Sequence, residues 1–420
     1  MLINLLNSHS SGYYGESVSF FNPDTQSGRQ FIWFGVSIIA AIFIILLERS
    51  FIKNSAYIFY GVIMLMLIAV LFFPPINGQK SWFGYGSFGI QPSEFAKTAT
   101  ALALARFMST INIKIQNRQD TIRALLFLLA PCILIFLQPD AGTLLVFLGF
   151  VFVLYREGLS GNILMLTLLA IILSVLTIFV KDAVVELPLI GADVAGHFMI
   201  IIVVVIISLA IAFIIRNFIQ KRERRRAYVL LITGLVMSSS FIMVVDYAYE
   251  SVLQDHQRTR IELTLGMRED PDGEDYNRNR AMAAVGSGKL TGKGYKEATL
   301  ANAKHGHVPE QTTDFAFCTW SEEWGFIGSS AVVILFVVFL IRIIGIAERQ
   351  RSQFSRIYAY SVAGIFFMHF MINIGMVTGI APVIGIPLPF ISYGGSSLLS
   401  FTVLLFILLR LDSERMEVLR

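Results

Sequence analysis

The chain has 420 residues, 55% of them hydrophobic and 15% charged, against roughly 45–50% and 25% in globular domains; its mean hydropathy is +0.68. That balance excludes an ordinary soluble enzyme and predicts an all-α polytopic membrane protein. The formal charge of +4 does not point to nucleic acid, because the basic residues lie between apolar runs, where the positive-inside rule places them, and no binding motif accompanies them. Cys132 and Cys318 are the two cysteines, too few and too apolar in setting for a disulfide framework or a cysteine metal site.

In chain order, MLINLLNSHSSGYYGES lacks the basic region and full apolar core of a cleavable signal, and residues 1–29 are expected to be an extracytoplasmic stub. A spanning helix needs about 20 apolar residues. Runs near that length occur at 30–48, 56–74, 93–110, 121–138, 141–155, 161–180, 198–218, 228–246, 325–346, 356–379 and 391–410, which predicts about eleven spans. Basic clusters fix their direction: ERSFIK at 48–53, the 106–123 connection, YREG at 155–158, QKRERRR at 220–226, AERQRSQFSR at 347–356 and the tail at 411–420 are expected on the cytoplasmic side. Counting outward from them puts the N-terminus and a large loop, 247–324, on the extracytoplasmic side.

Ionisable groups bordering a span ask for a reason, since a charge at a helix centre costs about 2.5–3.5 kcal/mol on insertion scales. In GIQPSEFAK, Pro92 begins a helix, Ser93 can cap it, and Glu94 and Lys97 share one face. They form either a neutralising pair or the wall of a polar cavity open to the outside. In QPDAGT, Pro139 and Gly142 interrupt the helix and Asp140 is expected to cap the next one.

The large loop carries Arg258 and Arg260, then GSGKLTGKGYK with Lys289, Lys293 and Lys296 among glycines. Glycines admit close backbone approach to an anion and the lysines supply charge, so the element reads either as a pyrophosphate site or as a basic loop on anionic headgroups. It is not a nucleotide-binding P-loop, because Leu290 stands where Ser or Thr should. The loop ends in HVPEQTTDFAF, with Glu310 and Asp314 where polar sequence turns apolar again. Finally, Pro382, Pro387 and Pro389 with Gly379, Gly385, Gly394 and Gly395 cannot continue one helix. Segment 380–397 is therefore expected to be broken and to line a cavity. The six histidines show no metal-ligand spacing.

QPSEFAK at 91–97, QPDAGT at 138–143, GSGKLTGKG at 286–294, VPEQTTDFAF at 308–317, and NIGMV with GIPLPFISYGGSS at 373–397 resemble, in order, the signatures of the SEDS family (shape, elongation, division and sporulation). NIGMVTG resembles its RodA branch. The resemblance covers 56–160 and 247–420. It implies a peptidoglycan glycosyltransferase that polymerises lipid II at the outer face of the bacterial cytoplasmic membrane during cell elongation. It also implies a class B penicillin-binding protein as transpeptidase partner within the elongation machinery. The family core has ten spans; here its first helix is expected to be missing and an extra pair inserted near 161–218. Another departure is Asn279-Arg280, where relatives often carry Gln-Ser before the GSG element.

By the resemblance, the essential loop aspartate falls on Asp314, the charged pair on Glu94 and Lys97, and the loop cations on Arg258 or Arg260 and Lys293. Glu310 and Ser396 complete the substrate-binding candidates. Sugar transfer from a lipid pyrophosphate requires a base for the acceptor hydroxyl and positive charge for the leaving group. Asp314 is expected to be the base. A divalent cation, Mg or Mn, is a candidate cofactor that Asp314 would help to hold, and no organic cofactor is expected. Two alternatives stay open: a lipid-linked precursor flippase or other transporter, and a scaffold.

Overall fold

The computed structural model describes residues 21–22, 25–75, 80–84, 89–111, 113–181, 184–186, 193–253, 255, 258, 262, 267, 274–301, 311–381 and 383–416. Helices dominate: α1 Gln26–Leu46, α2 Arg49–Val70, α3 Pro92–Met108, α4 Arg118–Phe136, α5 Ala141–Val146, α6 Gly149–Arg156, α7 Gly161–Val180, α8 Gly196–Phe218, α9 Lys221–Ser251, α10 Glu274–Ser287, α11 Ala316–Glu348, α12 Gln353–Val377 and α13 Gly395–Ser413. A small antiparallel hairpin, β1 Val184–Glu186 with β2 Asp193–Ala195, joins α7 to α8. The chain divides into two compact units, residues 1–160 with 275–420, and residues 161–274.

The first unit is organised around α3. Neighbours α2, α4, α12 and α13 pack on it, and every α3 residue except Phe95 and Arg106 is buried. Its sequence explains this: alanines and threonines present little bulk, so other helices approach closely on all sides. The same logic holds where α6 crosses α12, since a Cβ on Gly149 would lie 2.7 Å from the Gly364 carbonyl oxygen. Lipid-facing surfaces carry the large apolar side chains instead, including Phe43, Leu65, Phe326 and Ile341. In the second unit, α9 packs on α7 and α8, and most residues of all three helices are exposed, as suits helices whose solvent is lipid.

About eleven spans were expected. Among the described residues nine helices are long and apolar enough to cross a membrane. The other two expected segments are helical but different in kind. Helix α3 has 17 residues and is wrapped by protein, whereas 141–156 is broken into α5 and α6 at Phe147 and Leu148.

Boundaries also moved. The basic cluster 220–226 lies within the start of α9, with Gln220 as N-cap, because Lys, Arg and Glu are good helix formers. Helix α9 reaches Ser251 and α11 starts at Ala316, so the connection between them is shorter than 247–324 and contains α10. Helix α11 bends at Gly325, whose φ is 63°, a left-handed conformation that favours glycine.

Candidate active site

The site begins where three helix starts meet. Asp140 caps α5, its Oδ1 accepting from Thr143 N at 3.0 Å, as the sequence predicts. Its Oδ2 accepts from Thr143 Oγ1 at 2.8 Å, Gln91 Nε2 at 2.8 Å and Ser93 Oγ at 3.0 Å. Ser93 therefore does not cap its own helix but ties α3 to α5. Ser396, a predicted substrate contact, accepts from Gln91 N at 3.1 Å and is buried; Ser400 donates to the Glu94 carbonyl at 2.7 Å. The positive ends of α3 and α5 converge on the Asp140 carboxylate and stabilise its negative charge.

One turn into α3, Lys97 Nζ lies 2.9 Å from Glu94 Oε2. The pair was expected either as a neutralising ion pair or as a wall of an open cavity; both side chains are closed off from solvent in this structure, 1% and 4% exposed. A third member, unanticipated from sequence, is His369, whose Nε2 lies 2.7 Å from Lys97 Nζ. Its Nδ1 lies 3.2 Å from the Pro387 carbonyl. That carbonyl can only accept, so Nδ1 carries the proton and Nε2 receives from the ammonium. Lys97 also stands 5.1 Å from the Phe401 ring centroid, a favourable cation–π distance.

Asp314 sits in the turn 311–315 that leads into α11. The turn is held from two sides: Tyr393 N donates to the Thr312 carbonyl at 2.8 Å, and Asn373 Nδ2 donates to the Asp314 carbonyl at 2.8 Å. Across from the carboxylate runs the broken segment. Helix α12 ends at Val377 and α13 begins at Gly395, and the stretch between has positive φ at Gly379, Gly385, Phe390 and Gly394. Gly385 faces Asp314; a Cβ there would lie 3.2 Å from Asp314 Oδ2. Further along the segment, Pro389, Phe390 and Ile391 line an apolar cavity of about 360 Å³ with Leu335, Phe336 and Phe339 of α11 and Leu405 and Phe406 of α13.

The glycine-rich lysine element does something the sequence did not reveal: it wraps the bend of α11. Gly292 packs so tightly that a Cβ would meet the Glu323 carbonyl, and Gly294 N donates to that carbonyl at 3.0 Å. Its glycines thus serve close backbone approach to α11. Glu322, fully buried, accepts from the backbone N–H groups of Thr299, Leu300 and Ala301 at 2.9, 3.0 and 2.7 Å. Lys293 Nζ pairs with the same carboxylate at 2.5 Å and with Thr299 Oγ1 at 2.6 Å. The Lys293 side chain keeps 27% exposure. Burial, reinforced by nearby Glu323, pushes the Tyr295 phenol up from its ordinary value.

Arg258 lies in the second unit, where its Nε donates to the Leu253 carbonyl at 3.1 Å and its Nη2 to the Glu250 carbonyl, closing the end of α9. Arg260 and Glu310, with His305 and His307, lie outside the described residues. Among the described residues no three His, Cys, Asp or Glu side chains converge to hold a metal ion.

The sequence model described as cell cycle protein, FtsW/RodA/SpoVE, matches residues 1–187 and 184–417. Peptidoglycan glycosyltransferase RodA of Treponema pallidum is 28% identical over 394 residues, 92% of this chain and 90% of that protein. Peptidoglycan glycosyltransferase MrdB of Escherichia coli is 30% identical over 342 residues, 81% of this chain and 73% of that protein. Among solved structures, a chain from a peptidoglycan synthase complex superposes with a TM-score of 0.65 at 23% identity, covering 99% of this chain and 95% of that one. Thermus thermophilus rod shape determining protein RodA superposes with a TM-score of 0.58 at 22% identity, covering 99% and 94%. The structural likeness carries the fold and the sequence match carries the family: this chain is a RodA-like member of the FtsW/RodA/SpoVE family, whose SEDS motifs it bears in order.

Proposed function

We propose that this protein is a peptidoglycan glycosyltransferase of the cytoplasmic membrane that polymerises lipid II, with Asp314 as its general base on the extracytoplasmic side. One observation carries the assignment of the site. Segment 383–392 touches Asp314 through Gly385 and lines an apolar cavity through Pro389, Phe390 and Ile391. A lipid-linked sugar needs that combination, a polar reacting head next to a groove for its tail.

In the proposed reaction Asp314 accepts the proton of an acceptor sugar 4-hydroxyl. The hydroxyl oxygen forms a bond to the donor's anomeric carbon from the face opposite the leaving group, and the bond from that carbon to the pyrophosphate oxygen breaks with inversion. The polyprenyl pyrophosphate leaves with the electron pair, and cations stabilise it. Lys293 is the proposed cation of the first unit, its ammonium oriented by the Glu322 carboxylate. Arg258 and Arg260 are the loop arginines proposed for the same task. Glu94 and Lys97 act from behind, through His369, on the segment that faces Asp314. Ser396 is proposed to act through Gln91 and the start of α3, and Glu310 remains a proposed contact.

A class B penicillin-binding protein is the proposed partner, in the elongation machinery. Support comes from the structural neighbour that is part of a peptidoglycan synthase complex. The test is polymerisation of fluorescent lipid II by the purified protein with that transpeptidase, wild type against Asp314→Asn. Glycan chains are expected from wild type and none from the variant at equal folded amount. Translocation of lipid II in vesicles without chains from either protein would favour a flippase instead.

A further inference from the structure

Asn373 and His369 stand one turn apart on the same face of α12, and both are buried. They hold consecutive carbonyls of the broken segment. Asn373 Nδ2 donates to Ile386 O at 2.6 Å and His369 Nδ1 to Pro387 O at 3.2 Å. The same Asn373 amide nitrogen also donates to Asp314 O at 2.8 Å. Two carbonyl acceptors require the nitrogen on that side, so the orientation of the amide is fixed by its partners.

This arrangement has an energetic oddity. Asn373 Oδ1 is buried with no hydrogen-bond partner, which costs about 1–3 kcal/mol. A leucine, of the same branched shape, would avoid that cost inside a membrane helix. The amide is therefore explained by its two donors, which join the backbone before α11 to the backbone after α12. Gly385 lies next to Ile386 and against the Asp314 carboxylate, so the junction sets the distance at which the acid meets the segment.

We infer that Asn373 is a positioning residue for Asp314, fixing its carboxylate against Gly385 by tying the Asp314 and Ile386 carbonyls to one amide, with His369 holding the next carbonyl. The inference rests on Asp314 being the base. It predicts that loss of Asn373 reduces turnover rather than binding, because the substrate's own contacts are left in place while the acid drifts.

The experiment uses the full chain with its transpeptidase and fluorescent lipid II, and compares wild type, Asn373→Leu, Asn373→Asp and Asp314→Asn. Asn373→Leu is expected to lower kcat by about ten- to a hundredfold, as misplacement by an ångström does, with KM for lipid II within about twofold. An aspartate at 373 repels both carbonyls when ionised and donates to one when protonated. The activity of Asn373→Asp relative to wild type should accordingly rise about three- to tenfold between pH 8 and pH 6. Ionisable groups named in this network are Asp314 itself, His369 on the same helix face, and Lys97 and Glu94 beyond it; all are present in both proteins compared.

A reversible recovery within one Asn373→Asp preparation cannot come from misfolded protein, so the pH ratio decides even if Asn373→Leu fails to fold. A flat ratio, or a loss residing in KM alone, overturns the inference. If Asp314→Asn abolishes chains while both Asn373 variants match wild type, the base assignment stands and only the positioning role falls. Should Asp314→Asn stay active, the base assignment and the inference fall together.

Discussion

Lys97 is a buried cation with three partners of different kinds: the Glu94 carboxylate, the His369 imidazole and the face of Phe401. Removing one member of such a pair leaves the other charge uncompensated, at about 3–5 kcal/mol, whereas replacing both with apolar residues is often close to neutral. Lys97→Met should therefore lower the melting temperature in detergent, and Glu94→Leu with Lys97→Met should recover most of the loss. Equal melting of single and double variants would show that the pair is not the stabilising unit. Glu322 makes a second residue-scale prediction. A glutamine there offers one acceptor oxygen where the carboxylate serves six donor groups, so Glu322→Gln should loosen 288–301. Limited trypsin digestion is expected to cut faster at Lys289, Lys293 or Lys296 while the spanning helices persist. At this scale the sequence disclosed the candidate polar residues by their type and order, Asp314, Glu94 and Lys97 among them. Asn373 and His369 escaped because a lone Asn or His in an apolar helix has no periodicity or spacing to mark it. Their partners are carbonyls brought up by a chain reversal.

The broken segment between α12 and α13 is the element on which the site turns. Gly385 has φ of 76°, a conformation that costs a residue with a Cβ about 1–2 kcal/mol, and its missing Cβ is what gives Asp314 Oδ2 room. Gly385→Ala is expected to cut glycan synthesis by about ten- to a hundredfold while the protein still inserts and melts within a few degrees of wild type. A variant with wild-type chain length and rate would show that the segment does not position the acid. The break itself was legible from prolines and glycines, since neither can be accommodated in a continuous helix at that density. Which carbonyls it would present, and to whom, was not. The glycine-rich lysine element was legible only in part for a related reason: glycine marks close backbone approach, and sequence does not say whether the group its backbone approaches is an anion or another stretch of the same chain. Here it is the bend of α11.

At the scale of the whole molecule, parity governs topology. Helices α7 and α8 form a pair, and an even number of crossings returns the chain to the side it left. Deleting 161–218 should therefore leave the C-terminal tail on its original side, as read by a side-specific reporter fused after Arg420; a reporter on the opposite face would mean that one of the two helices does not cross. Sequence by itself determined the solvent of this protein, its helical class and the order of its motifs, because apolar run length, charge between runs and residue type are properties of the linear chain. It could not determine that α3 is enclosed by protein, that Lys97 meets His369, or that one amide joins Asp314 to Ile386. Those contacts link residues from 13 to 272 positions apart, and at such separations only the packing of helices decides which polar groups meet.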